Sequence, residues 1–363
     1  MIFNFILCLF IIFIYLITHI VRKEKKFQDN LFLIITFFLL FLLVATREMN
    51  VGNDTLSYIN LFKKCSIIKW NILDINTYYE KGYLVFNIIL SYIKFSPRLF
   101  MYLMSFIFNY SVYKFIKDNS KNYLLSVLMY INLLFFYQSM TMIRQFFALS
   151  IILLFGFKYV KDRKIFKFIL TIIIATLFHS SALIAFFIYP IYNLVYTRKR
   201  VIIIISISIF VFLFLNQIYP LIASLLNKEA YYLSMVGETK LANIVSTLIY
   251  LVMYIVSLFI VKKTSRQEYS FFLYSLLFAI AIYLVSINMA ILSRASQYYA
   301  ILSIISLPNI IEFNMKKNKI VLNSIIVFFI MLYASIVMIY RPEWNSAFNY
   351  KSCILEKVGY VCE

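Results

Sequence analysis

The sequence is short of charged residues and of the residues that break helices. Only 14% of its 363 residues are charged while 63% are hydrophobic, and it contains five glycines and five prolines. Soluble domains usually carry about 25% charged residues, so this chain has too few polar side chains to cover a soluble core. The scarcity of glycine and proline also excludes collagen-like and disordered classes. The composition therefore predicts an integral membrane protein.

Acidic residues are fewer than basic ones, which leaves a formal net charge of +20. Such a charge would ordinarily suggest nucleic acid as a binding partner. The basic residues, however, lie in short clusters between long apolar runs, as at 22–26, 158–167 and 198–200. This arrangement is typical of the cytoplasmic loops of membrane proteins. We therefore predict the lipid bilayer, and no nucleic acid, as a partner.

Cysteine and histidine are scarce as well, with four and two copies. The cysteines have no metal-ligand spacing, so we predict neither a metal nor a cofactor. Cys353 and Cys362 lie close together in a polar C-terminal tail. They could form a disulfide if that tail lies outside the cell, although the spacing alone leaves their pairing open.

Long apolar runs occupy most of the chain, and a helix needs about 20 apolar residues to cross the hydrocarbon core. Suitable runs occur at 2–21, 31–46, 123–140, 143–160, 201–219, 241–261, 269–289, 294–311 and 320–340. They predict an all-α, polytopic membrane bundle with about 12–14 membrane segments. We expect a single helical domain over 1–340 and a short polar, extracytoplasmic tail at 341–363.

Two further apolar stretches are too long for a single crossing. The stretch 165–197 is interrupted at His179-Ser180-Ser181, so we predict a half-helix hairpin there. The stretch 83–116 contains Pro97, which disfavours helix continuation at the residue before it. Pro97 is therefore predicted to divide this stretch into a short piece and a full-length piece.

The basic clusters orient the bundle, because short cytoplasmic loops are enriched in lysine and arginine. With those clusters inside, the outer face holds 47–82, 138–145, 179–181, 217–240, 289–297 and the tail. Three arginines, Arg47, Arg144 and Arg294, then gather on the outer face. Positive residues are disfavoured there, so their presence calls for an explanation.

The three arginines differ in their place on the predicted helices. Arg47 stands at a helix C-terminus, where the macrodipole favours a cation, so a structural role is as good a reading as a functional one. Arg144 and Arg294 stand near helix N-termini, where the dipole disfavours a cation. Backbone N–H groups and a guanidinium fork together suit phosphate, so these two are predicted to bind an anion.

His179 and two acidic residues on the same face are candidates for proton transfer. His179 lies at the predicted break between half-helices, where a structural turn histidine is the plain alternative. Asp54 stands in a Gly52–Thr55 turn and could simply cap the next helix. Glu80 could likewise do no more than lead into a helix. The residues alone do not rank the three.

Several of these positions resemble a known family. Residues 47–58 resemble the R-x-x-x-x-G-x-D-x-x-x-Y signature of the EpsG family of Wzy-like polysaccharide polymerases. Three further stretches, 79–83, 143–148 and 175–184, resemble that family in the same order along the chain. The segment around Arg294 is similar to the family's later arginine helix, more loosely.

The resemblance implies a multi-pass membrane glycosyltransferase in a bacterial cytoplasmic (inner) membrane. Such an enzyme joins oligosaccharide repeat units linked to undecaprenyl pyrophosphate into exopolysaccharide, capsule or O-antigen at the outer face. A flippase and a chain-length regulator would be its candidate partners. The arginines at 47, 144 and 294 would bind the pyrophosphate, and Asp54, Glu80 and His179 would be the catalytic candidates.

Other functions stay open on the sequence alone. A flippase for lipid-linked oligosaccharides would also need arginines and discontinuous helices, although its charges should lie at mid-membrane depth. A ligase that moves finished glycan to another acceptor is a second alternative, and a membrane O-acyltransferase is a third.

Overall fold

The fold is helical throughout the part of the chain that the structure describes. The computed structural model describes residues 1–20, 24–68, 79–225, 241–261, 267–289, 292–315, 317–340, 346–348 and 350–353. Within these residues the only β-structure is an isolated antiparallel bridge between Arg47 and Ser352. The structure therefore confirms the predicted all-α, polytopic class.

The described residues of the first half of the chain form nine α-helices. They are α1 (Ile2–Ile20), α2 (Lys25–Ala45), α3 (Thr55–Ile68), α4 (Lys81–Tyr92), α5 (Pro97–Asn119), α6 (Tyr123–Asn132), α7 (Phe135–Thr141), α8 (Ile143–Lys161) and α9 (Ile165–Thr176). Helix α8 contains a π-helical turn, Ile152–Gly156. A 3-10 helix, Ser180–Phe187, follows α9 after a three-residue break.

The second half contains seven α-helices among its described residues. They are α10 (Ile188–Tyr192), α11 (Arg198–Leu225), α12 (Leu241–Ile260), α13 (Gln267–Val285), α14 (Ser293–Ala300), α15 (Ser303–Asn314) and α16 (Lys319–Tyr340). A short 3-10 helix, Ser346–Phe348, lies in the tail.

Eight helices of the described residues are long and apolar enough to cross a membrane, or nine with the bent pair α6–α7. That number is smaller than 12–14 because several predicted segments are short helices. Ile165–Thr176 and Ser180–Tyr192 are apolar but too short for a full span. Residues 294–311 divide between α14 and α15. The chain is thus a multi-pass membrane protein with several interrupted helices.

The predicted break at Pro97 has a local cause, and a further break, between α6 and α7, lies where the sequence predicted one continuous run. Ser96 caps α5 by accepting a hydrogen bond from the Leu99 N–H, and Pro97 occupies the first turn, where its missing N–H leaves no donor unsatisfied. Helices α6 and α7 meet at an angle of 47°. Leu134 lies between them with a φ of 69°, so the chain cannot continue as one straight helix.

Contacts divide the chain into two compact units, whereas the sequence predicted one helical domain and a separate tail. The first unit comprises Met1–Leu183 and Ala334–Glu363, and the second comprises Ile184–Tyr333. The described part of the tail packs within the first unit: the Tyr350 hydroxyl donates to the Leu43 carbonyl. Cys362 lies outside the described residues, and with it the predicted pairing to Cys353.

The first unit has two chemically different ends. At one end Lys161 Nζ donates to Asn119 Oδ1 at 3.0 Å, so the C-termini of α5 and α8 meet there with their basic residues. At the other end Arg47 contacts the Met140 carbonyl, and Gly82 packs on Leu177. The described parts of three segments predicted to share a face, 47–82, 138–145 and 179–181, do meet within this unit. We call this second end the site end.

Candidate functional site

A carboxylate, an arginine and a histidine meet at the site end of the first unit. Arg144 Nη1 donates a hydrogen bond to Glu80 Oε2. The other carboxylate oxygen, Oε1, accepts from the Ser180 N–H at 2.9 Å and lies 3.4 Å from His179 Nδ1. The three charged or titratable side chains keep only 12–18% of their surface exposed. Glu80 is therefore the residue that joins the predicted arginine to the predicted histidine.

The local fold holds Glu80 between its partners. Glu80 is the N-cap of α4, in extended conformation, so its carboxylate lies at the positive end of the helix dipole. The Tyr83 N–H donates to the Leu177 carbonyl at 3.2 Å, which links the first turn of α4 to the end of α9. This contact brings Glu80 to the break before the 3-10 helix, where His179 and Ser180 lie.

The surroundings of Glu80 keep its carboxylate ionised. Burial by itself would raise the pKa of Glu80. The hydrogen bond to His179, the charge of Arg144 and the Ser180 N–H together outweigh burial and lower that pKa to about 2. The Glu80 carboxylate is therefore ionised at neutral pH, and it is a weak base.

Arg144 lies in the first turn of α8, as predicted, and its charge is compensated inside the protein. In addition to Glu80, three tyrosine rings surround the guanidinium carbon, and we call them the aromatic cage. Their centroids lie 5.7 Å away for Tyr58, 4.6 Å for Tyr79 and 5.9 Å for Tyr83. Rings within about 6 Å stabilise a cation through their quadrupoles. Arg144 Nε is buried and has no hydrogen-bond acceptor among the described residues. One N–H of the fork is thus left unsatisfied inside the protein.

Gly82 allows the close contact between α4 and α9. A Cβ at this position would lie 2.6 Å from Leu177 Cβ and 2.7 Å from the Leu177 carbonyl oxygen. Real Cβ atoms do not approach backbone this closely, so any side chain must push the two helices apart. Such a movement would separate Glu80 from Ser180 and His179.

We therefore expect Gly82→Ala to reduce the activity of the protein at least tenfold while the protein still inserts. The matched control is Gly156→Ala in α8, where the added Cβ would meet no atom closer than 3.4 Å. The readout is activity per inserted protein, with the amount of protein taken from an immunoblot. Equal activity of the two alanine variants would contradict a positioning role for Gly82.

Arg47 has a different environment from Arg144. Its guanidinium is 2% exposed and donates to three backbone carbonyls, those of Val44 at 2.5 Å, Val51 at 3.3 Å and Met140 at 3.3 Å. Burial lowers the pKa of Arg47 to about 9, so the side chain stays charged at neutral pH. These contacts give Arg47 a structural role as a cap of α2. Its predicted part in binding pyrophosphate stays a prediction.

Asp54 lies beside this arginine, in the turn that begins α3. The Tyr58 N–H donates to the Asp54 carbonyl at 3.1 Å, so Asp54 is one turn before a tyrosine of the Arg144 cage. The Asp54 carboxylate is half-buried and does not take part in the described Glu80–His179 contacts. The structure therefore places it next to the site without joining it to the other two catalytic candidates.

Arg294 belongs to the second unit. It is half-buried in the first turn of α14 (Ser293–Ala300), so its predicted position near a helix N-terminus is confirmed. The same helix buries Tyr298 and Tyr299, and the Tyr299 hydroxyl donates to the Ile184 carbonyl at 2.7 Å. A role of Arg294 in binding pyrophosphate stays a prediction.

Sequence reasoning missed the aromatic cage and the glycine contact. Tyr58 lies five residues after Asn53, and Tyr83 lies four residues after Tyr79. Both look like ordinary membrane-interface residues in a chain with 30 tyrosines. The available signal was their spacing within the motifs: Tyr58 ends the first and Tyr83 ends the second. Gly82 carried a signal too, because the chain has only five glycines.

Comparison with known proteins gives one family. The model of the EpsG family matches residues 30–352, which is most of the chain. The matched range includes the cage tyrosines, Glu80, Arg144, His179 and Arg294. Neither the curated proteins nor the solved structures contain a match.

Proposed function

The chain belongs to the EpsG family, and on that basis we propose that it is a Wzy-like polysaccharide polymerase. Family membership gives it a role in polysaccharide biosynthesis, and eight apolar helices make it a multi-pass membrane protein. The proposed substrates are oligosaccharide repeat units on undecaprenyl pyrophosphate. The proposed place is the outer face of a bacterial cytoplasmic membrane. The observation that carries the proposal is the contact of Glu80 with both Arg144 and His179.

The proposed reaction is a glycosyl transfer from one lipid-linked chain to another. The oxygen of an acceptor sugar hydroxyl attacks the anomeric carbon of the growing glycan. The bond from that carbon to the pyrophosphate oxygen breaks, and the lipid pyrophosphate leaves with the electron pair. The hydroxyl proton passes to a protein base. The protein must therefore supply one base and positive charge at the leaving group.

The geometry favours His179 as the base. Both oxygens of Glu80 are engaged, and its pKa of about 2 makes it a poor proton acceptor at neutral pH. A carboxylate next to one imidazole nitrogen orients the ring and stabilises its protonated form, so the other nitrogen can take a proton. We assign proton transfer to His179 and positioning to Glu80. Asp54 is kept as the alternative base.

Arg144 is assigned to the leaving pyrophosphate. Charge on the bridging oxygen grows as the glycosidic bond breaks, so a preformed cation stabilises the transition state more than the ground state. The guanidinium of Arg144 and the start of α8, in whose first turn it lies, both suit an anion. Arg294 is proposed to serve the same group. Arg47 supports the loop that contacts the end of α7 and is proposed to act on the anion only through its charge.

Reconstitution tests the function directly. Purified protein in proteoliposomes, given a lipid-linked repeat unit, is expected to produce a ladder of glycans that differ by one repeat. A flippase would instead move the labelled lipid between leaflets without lengthening its glycan, and a ligase would need a separate acceptor. If the labelled lipid moves between leaflets and no ladder forms, the protein is a transporter and not a polymerase. A flippase and a chain-length regulator are proposed as partners in the cell, and neither is needed for this assay.

A further inference from the structure

The C-terminal residues 350–353, which we call the strap, are tied to the loop that carries Arg47. Arg47 and Ser352 form an antiparallel bridge. The Glu48 N–H donates to the Lys351 carbonyl at 3.1 Å, and the Cys353 N–H donates to the Thr46 carbonyl at 3.0 Å. The strap therefore adds two backbone hydrogen bonds to a loop that no sheet supports.

Arg98 fastens the strap to the same loop from α5. Its Nη1 donates to the Arg47 carbonyl at 2.7 Å and its Nη2 to Cys353 Sγ at 2.8 Å. A planar guanidinium can reach two acceptors at once, so one side chain joins the loop to the strap. Aromatic contacts add to this attachment: Tyr350 stacks on Phe3 with ring centroids 4.9 Å apart.

The same loop also touches the end of α7, the helix that precedes the one carrying Arg144. Arg47 Nη2 and Thr55 Oγ1 both donate to the Met140 carbonyl, at 3.3 and 3.0 Å. Gly52 has a φ of 98°, and a Cβ there would lie 2.3 Å from that carbonyl oxygen. Met140 lies in the last turn of α7, four residues before Arg144. The loop therefore contacts both the strap and the end of α7.

We propose that the strap and Arg98 are positioning elements for Arg144, acting through the Arg47 loop. The inference rests on the proposed function, since it concerns the same reaction. The chain of contacts runs from the strap to the backbone of Arg47, then through the Arg47 guanidinium to Met140. Releasing the strap frees the loop, and the end of α7, four residues before Arg144, loses these contacts. The family match extends to residue 352, so it includes most of the strap.

A pair of deletions tests the strap. Removing residues 346–363 is expected to lower polymer yield at least tenfold with the protein still inserted. Removing only residues 354–363 is the matched control, because it leaves the strap in place, and it should preserve yield. Normal ladders from the longer deletion would overturn the proposal. Because that deletion could also prevent folding, a covalent latch supplies the second test.

The latch uses the native Cys353 and the residue opposite to it. Thr46 and Cys353 lie next to the antiparallel Arg47–Ser352 bridge and are joined by one hydrogen bond, from the Cys353 N–H to the Thr46 carbonyl. The Cα atoms of residues opposite each other in antiparallel pairs are typically about 4.5–5.5 Å apart, within the range for a disulfide. Thr46→Cys, in a Cys362→Ser background, should therefore form a disulfide with Cys353 upon oxidation. Non-reducing electrophoresis after limited proteolysis reports the bond.

The decisive variant combines the latch with Arg98→Ala. In the reduced form, this variant should make at least tenfold less polymer than the parent that carries the latch alone. In the oxidised form, its polymer yield should recover to within about twofold of that parent, because the disulfide replaces the Arg98 contact. Yield is taken per inserted, folded protein in both redox forms, so a loss of stability alone would not count as a loss of activity. No recovery in the oxidised form, or an oxidised parent that is inactive, would overturn the proposal.

A thiol-labelling arm separates this proposal from the proposed function. Arg98→Ala should raise the rate at which a maleimide labels Cys353 at least threefold, because the strap is no longer held. That result needs no polymerase activity. If the unaltered protein makes no ladder, the polymerase assignment fails while the labelling still decides on the strap. An unchanged labelling rate would overturn the attachment itself.

Discussion

Arg144→Lys is expected to lower polymer yield about 100-fold, the usual effect of removing one preorganised donor from a charged transition state. Lysine keeps the positive charge and can still pair with Glu80. It loses the planar fork, so it cannot hold Glu80 and present a second N–H to the pyrophosphate at the same time. It also loses most of its stacking on the cage tyrosines. Ladder intensity per inserted protein is the measurement.

The control for this substitution is the same exchange at the opposite end of the first unit. Arg163→Lys changes an exposed arginine near Lys161 and should leave the ladder unchanged. Arg294→Lys tests the second proposed phosphate ligand in the same assay. Full-length polymer from Arg144→Lys at normal expression would remove Arg144 from the reaction and leave it as a structural partner of Glu80.

The helical class and the positions of most breaks could be predicted because they depend on local sequence. Membrane helices show themselves by the length of apolar runs, and Pro97 marks a helix start through its own covalent geometry. The bend between α6 and α7 was not predicted. It arises at Leu134, a residue with no breaker signal, and follows from the packing around it.

The candidate site could be predicted in part, for a similar reason. Charged residues in a nearly uncharged membrane chain stand out, so Glu80, Arg144 and His179 were found without a structure. Their pairing was not predictable, because Glu80 and His179 are 99 residues apart and meet only through the Gly82–Leu177 contact. The strap was invisible for the same reason: Arg47 and Ser352 come from opposite ends of the sequence.

The second large effect is expected for the histidine–carboxylate pair and shows in the pH profile. His179→Gln should lower the elongation rate about 100-fold or more, the range for loss of a general base. His19→Gln is the matched control. His19 also faces a carboxylate, Asp29, at 3.2 Å, but it lies at the end of α1, and its loss should leave elongation unchanged.

Glu80→Gln distinguishes a positioning carboxylate from a base. With a pKa of about 2, Glu80 stays ionised from pH 5 to pH 9 and contributes no titration of its own there. Its negative charge favours the protonated form of the histidine–carboxylate pair, so removing the charge allows proton loss at lower pH. The rising limb of rate against pH should therefore move to lower pH. The plateau should also fall, since the ring is no longer oriented.

The direction of that shift decides the roles. If Glu80 were the base, Glu80→Gln would abolish elongation at every pH and leave no limb to move. If Asp54 were the base, the limb would keep its position in Glu80→Gln, and Asp54→Asn would remove the activity instead. A limb displaced to lower pH, together with loss of activity in His179→Gln, fits only proton transfer by His179 with Glu80 beside it.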